Sequence, residues 1–136
     1  MRTFHVFSID KSIVNLVKDE PYQLFYTFQK INTLNKNDFS LGINLYEQVA
    51  NPFDKEKINK RIFKYYDESD FYFKIKNNHT YINKYRSEES YLDVHNAYLK
   101  IKSNLSNPDF FKVLKKDPNL FICDFENFDY FWARNI

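Results

Sequence analysis

The chain has 136 residues, a formal net charge of +2 from twenty basic and eighteen acidic side chains, and an aromatic content of 20% (15 Phe, 11 Tyr, 1 Trp). That length fits one domain with a sizeable core, and the aromatic load excludes a disordered chain. The single glycine, Gly42, excludes the glycine-rich phosphate loop, the dinucleotide fingerprint and the G-x-S-x-G elbow, each of which needs several.

Residues 3–9 are rich in β-formers and predict a strand ending at Asp10. Asp10 is a fitting N-cap for a short helix over 11–18, with Ile9 and Val14 placed as a hydrophobic staple. Pro21 suits the first position of a second helix over 21–33. Its apolar residues spread around most of the circumference, which predicts cover on two sides, by the chain's own fold or by a partner. Phe39, Ile43, Tyr46 and Ala50 predict a helix over 39–50, closed by Asn51-Pro52. Asp54 caps a further helix, with Phe53 and Ile58 as its staple and Ile58, Ile62, Tyr65 and Tyr66 as its inner stripe. Lys55, Lys57, Lys60, Arg61 and Lys64 face outward, and solvation is the simpler reading of that face.

Residues 71–76 and 79–86 predict a hairpin turning at Asn77-Asn78. Pairing across that turn puts Phe71, Phe73, Ile75, Thr80 and Ile82 on a core side, and Tyr72, Lys74, Tyr81 and Tyr85 on the other. Ser87 is placed to cap a long amphipathic helix over 88–104, on the spacing of Tyr91, Val94, Tyr98, Ile101 and Leu105. Pro108 opens one more helix to about Lys116, and 120–125 and 129–133 predict two closing strands turning at Glu126-Asn127. The sum is one domain, residues 1–136, of class α+β (or mixed α/β), with a sheet of about five strands and helices packed on it.

Candidates for chemistry are sparse. His5, His79 and His95 are far apart in sequence and form no H-x-H or H-E-x-x-H spacing. Cys123 is the one cysteine, set in an apolar strand where a thiol behaves as a small hydrophobe. Asp67, Glu68 and Asp70 read as a turn leaving a helix; Asp124, Glu126 and Asp129 read as hairpin solvation rather than an acid/base pair. The expectation is a protein that is not an enzyme and takes no cofactor or metal. A lone cysteine suits a reducing cytoplasm. The opening residues lack an export-type apolar stretch, and no apolar run approaches the roughly 18 residues of a membrane span. Arg2, Arg61, Arg86 and Arg134 are outnumbered by lysines, which weakens any phosphate-recognition reading. A cytoplasmic protein with no membrane partner and no direct nucleic-acid partner follows.

Two blocks resemble a known family. They are F-H-V-F-S-I-D-K-S-I-V-N-L-V running into Q-L-F-Y-T-F at 23–28, and F-F-K-V-L-K-K-D-P-N-L-F-I-C-D-F from Phe110 to Phe125 followed by Trp132. They are similar to the opening and closing elements of the sporulation inhibitor of replication family, SirA. The resemblance implies a non-enzymatic regulator that binds the N-terminal domain of the replication initiator DnaA through an apolar helical surface. The family's contact positions on the first helix match Ile13 and Val17, and one on a following helix falls near Leu45. Here both first-helix positions are aliphatic where the family carries bulky aromatics, and Lys18-Asp19 stands where the family has a glycine. Independently, the density of apolar residues from Ile13 through Leu16 to Val17 exceeds what one buried face needs. Packing of Ile13 and Val17 on the next helix is the competing reading. The alternative function is single-stranded nucleic-acid binding by the Tyr72, Lys74, Tyr81 and Tyr85 face of the 71–86 hairpin.

Overall fold

The computed structural model describes residues 1–136, the side chain of Asn35 aside. Strand β1 (Arg2–Ile9) runs into helices α1 (Lys11–Val17), α2 (Pro21–Asn37) and α3 (Phe39–Val49), then a two-residue strand β2 (Ala50–Asn51) and helix α4 (Lys55–Tyr66). Four strands follow, β3 (Tyr72–Ile75), β4 (Asn78–Asn83), β5 (Glu88–Val94) and β6 (Leu99–Ser103). A one-turn helix α5 (Phe111–Leu114) precedes the closing hairpin β7 (Leu120–Asp124) and β8 (Asp129–Trp132).

Two of the predicted caps, Asp10 and Asp54, do what their chemistry requires. Asp10 accepts from the Ser12 N–H, and Asp54 from the Lys57 N–H, so each helix start has a satisfied donor. The staple residues Ile9, Val14 and Ile58 are buried, and Phe53 packs against the cluster that holds Ile58.

The class is α+β, but the sheet has eight strands rather than about five, ordered β3-β4-β5-β6-β1-β7-β8 with β2 paired to the end of β1. Every pairing is antiparallel. Three strands are missing from the prediction: β2, at the residues expected to end the 39–50 helix, and β5 and β6, which occupy the predicted helix over 88–104. Leu92 pairs with Ile101 and Val94 with Leu99, all four buried. The remaining inward positions hold Glu88, Ser90 and Ser103, also buried. Those polar residues masked the period-two pattern and let a helical spacing pass for the signal. Ser87 is no helix cap; it ends the β4–β5 loop with φ 52°.

The 71–86 hairpin is also corrected. The turn falls at Lys76-Asn77, with Ile75 opposite Asn78 and Tyr72 opposite Tyr81. This register differs by two residues from the one predicted, so the same side chains share each face. The faces are nevertheless swapped with respect to the core. Tyr81 and His79 are buried and Tyr72 half-buried beneath α4, whereas Phe73, Ile75 and Ile82 are exposed; Thr80 and Phe71 do lie inward as predicted, and Lys74 and Tyr85 outward. Tyr66 explains the swap: its ring lies 5.2 Å from Tyr72 and 5.6 Å from Tyr81, recruiting that face into the core. Tyr65, predicted on the inner stripe of α4, is exposed. The helix predicted to about Lys116 shortens to α5.

The sheet therefore lies between two helical layers. Phe4, Val6, Leu92, Ile101, Leu120 and Ile122 meet Ile58, Ile62 and Tyr66 of α4 and Phe111 and Leu114 of α5 on one side. On the other, Phe7, Ile9, Phe121, Cys123 and Trp132 meet Val14 of α1 and Leu24, Phe25, Phe28 and Ile31 of α2. β1 serves both, because alternate side chains of a strand leave opposite faces.

Candidate functional site

Helix α1 is held at both ends. The Asp10 N–H donates to the Val49 carbonyl at 3.0 Å, tying its start to the end of α3. At its other end the Lys18 carbonyl accepts from Trp132 Nε1 at 3.2 Å, and Trp132 is itself buried. Seven residues of helix would fray in isolation; here tertiary anchors fix their orientation.

Of the four candidate contact residues, Ile13 and Val17 are half-buried and pack against the core cluster beneath α2. Leu45 on α3 is half-buried against the same cluster. Leu16 lies outside that cluster and is 75% exposed. Three of the four thus converge on the margin of one apolar cluster, and the fourth points its side chain into solvent. Ile13 and Val17 are each packed on one side and open on the other. Tyr22 and Tyr26 on α2 are exposed apolar groups that sequence reasoning did not single out. Their signal was present in the near-continuous apolar circumference of 21–33.

Several ionisable groups are held within the fold. His79 is fully buried. Asn59 Nδ2 donates to Asn77 Oδ1 at 2.8 Å, so Asn59 Oδ1, 2.7 Å from His79 Nε2, is the acceptor of that pair. This assigns the proton to Nε2 and leaves Nδ1 to accept the Tyr72 O–H at 2.7 Å. Burial, reinforced by the charge of Lys74, pushes the His79 pKa down to about 4, and burial pushes Tyr72 up to about 12. His5 sits among Phe7, Tyr98 and Phe125 with Nδ1 buried and unpartnered. Burial, with the charges of Lys100 and His95, lowers it to about 4.

Burial pushes the Cys123 thiol well up, so no thiolate is available there. Asp124 and Asp129 are bridged by Arg2, at 2.9 and 3.0 Å, as a pair of ion pairs. Burial pushes Asp124 upward, but its bonds to Asn127 and Arg2 outweigh that and hold it below the usual carboxylate range. Among the described residues, no three His, Cys, Asp or Glu side chains gather as a metal cluster. No helix is long and apolar enough to cross a membrane.

The hairpin residues of the alternative reading are dispersed. Tyr72 is bonded to His79, Tyr81 is buried under Tyr66 and Phe110, and Tyr85 is exposed at the β4–β5 loop. Lys74 stands at the rim of a hollow beside α4. No family model matches the chain, and no curated protein matches it.

Proposed function

We propose that the chain is a non-enzymatic regulator that binds the N-terminal domain of the replication initiator DnaA through α1 and the adjoining part of α3, and so restrains initiation. The reading is supported by the SirA-like residues at 4–17, 23–28 and 110–125 and by Trp132, which lie on the elements that build and anchor α1. The observation that carries it is Leu16. A leucine 75% exposed on a short helix pinned at both ends is a preorganised apolar contact, flanked by the half-open Ile13 and Val17.

The test is calorimetry of the full chain against the isolated N-terminal domain of its own host's DnaA, at low and high salt. The expected result is 1:1 binding with negative ΔCp and little salt dependence. Leu16→Asp removes roughly 1.5–3 kcal/mol of apolar burial and adds a charge, weakening binding about tenfold or more. Because Leu16 lies outside the core, its far-UV CD and melting temperature should match the parent. Absence of binding by the parent chain, or an unchanged affinity in Leu16→Asp, refutes the proposal.

A further inference from the structure

The two flanks of α4 carry matched hollows. One, about 510 Å³, is lined by Phe63 with Lys60, Lys74 and Lys76; the other, about 450 Å³, by Tyr65 with Arg61, Lys64 and Lys116, and Lys60 borders both. Phe63 and Tyr65 are two positions apart, which puts them on opposite sides of the helix, and they are 49% and 42% exposed. Each hollow thus pairs one open aromatic ring with a cationic rim, and Lys116 Nζ stands 5.1 Å above the Tyr65 ring centre.

The charge here departs from the chain average. Six cations line the two hollows against one carboxylate, Glu56, among the described residues, whereas the whole chain has twenty basic and eighteen acidic groups. Glu56 is engaged by Lys60 at 3.1 Å, and Arg61 is held by the Val113 carbonyl at 3.0 Å with Asp117 at 3.8 Å. Lys64, Lys74 and Lys76 stand in no such pair. Solvation alone accounts for lysines on a helix, but it does not account for two exposed aromatics set between lysines from three different elements.

We infer that this face binds single-stranded nucleic acid, with Phe63 and Tyr65 as stacking platforms and the surrounding lysines holding the phosphates. The rings flank a helix roughly 10–12 Å across, a span of about three stacked nucleotides at roughly 3.4 Å each. Open aromatic rings between cations are the combination that sequence-tolerant single-strand binders use. This surface lies across the sheet from α1, on the opposite helical layer, and stands independently of the DnaA reading.

The test is fluorescence anisotropy of the full chain with a fluorescein-labelled oligothymidine of about twenty nucleotides, a duplex of equal length, and phosphatidylserine-containing vesicles. Oligothymidine affinity is expected to fall roughly 20- to 50-fold between about 50 and 200 mM salt, as neutralisation of three or four phosphates requires. Lys64→Glu with Lys76→Glu should weaken binding and lower the salt slope by about one or more. Phe63→Ala should weaken it roughly 5- to 150-fold with the slope unchanged. Leu16→Asp should leave it unaltered. All four substitutions are at exposed positions, and melting temperatures check their folding. No binding by the parent chain, insensitivity to both α4-face variants, binding of vesicles but not oligothymidine, or equal duplex binding unaffected by Phe63→Ala would each overturn the inference.

Discussion

Acidification should unfold this protein from two imidazoles, the buried His79 and the half-buried His5, before its carboxylates titrate. His79 cannot take a proton in place, because Nδ1 already accepts from Tyr72 and Nε2–H already donates to Asn59. A second ring proton would face the Tyr72 hydroxyl and force it to turn, inside a site from which water is excluded. In the unfolded chain the imidazole regains its ordinary pKa of 6.5, against about 4 in the fold. The unfolded state therefore binds the extra proton first, so stability is complete above 6.5 and is lost as pH falls from 6.5 towards 4. At about 1.4 kcal/mol per pH unit that displacement is worth about 3 kcal/mol.

His5, lowered to the same range by its own burial, adds a comparable amount over the same window. Together they reach about 6 kcal/mol, a large share of the 5–15 kcal/mol typical of a domain. Urea unfolding at half-unit pH intervals from 7 to 4 should give a slope of roughly 2–3 kcal/mol per pH unit in mid-window, shared about equally by the two histidines. His5→Phe should halve that slope at little cost at pH 7, since it deletes a buried nitrogen that has no partner. His79→Phe should also halve it but cost about 2–4 kcal/mol at every pH, because Asn59 and Tyr72 lose their partner. A flat profile between pH 6.5 and 4.5, or a His79 ring that titrates near 6.5 in the native NMR spectrum, would refute the reasoning.

Two further outcomes follow from buried polar chemistry. Glu88 Oε2 accepts both the Ser90 hydroxyl at 2.6 Å and the Asp109 N–H at 2.8 Å; Glu88→Ala should cost about 3 kcal/mol and lower Tm by roughly 10 °C. Glu88→Gln, which keeps an acceptor oxygen, should lose about 1 kcal/mol; a Glu88→Ala variant melting with the parent would show the network to be idle. Cys123, buried between Phe121 and Phe125 with its thiol pushed up, should react with a disulfide reagent only as fast as the chain opens. Rapid stoichiometric labelling in native buffer would place it at the surface instead.

The starts of α1 and α4 were readable from sequence because their determinants are local: Asp10 and Asp54 bond N–H groups two and three residues away. The β5–β6 hairpin was not, because its inward polar residues are satisfied by distant groups. Ser90 meets Ser103, and Glu88 meets the Asp109 N–H twenty-one residues on. A buried serine and a surface serine are identical in a sequence, and only the tertiary partner distinguishes them. The swapped hairpin faces have the same origin. Phe73 and Ile75 are the more hydrophobic pair by composition, yet the Tyr66, His79 and Asn59 constellation draws the tyrosine side inward. At the candidate surface, periodicity marked residues 13–17 as surplus apolar, while the separation of exposed Leu16 from half-buried Ile13 and Val17 depended on where α2 and Trp132 lie.

The sheet separates the two proposed surfaces physically. α1 rests on the cluster built from Phe7, Phe121 and Trp132, and α4 on the cluster built from Phe4, Val6 and Ile122. Substitutions at Leu16 and along the α4 rim share no contacting side chain, so their effects on folding should be additive. A rigid antiparallel sheet with a packed core on each face has no evident second arrangement that could transmit occupancy of one side to the other. A protein partner on α1 and a nucleic-acid strand on α4 would then be bound together or singly by the same affinities. Bridging of the two, if it matters to what the protein does, would come from their simultaneous attachment to one rigid body and not from a change in shape.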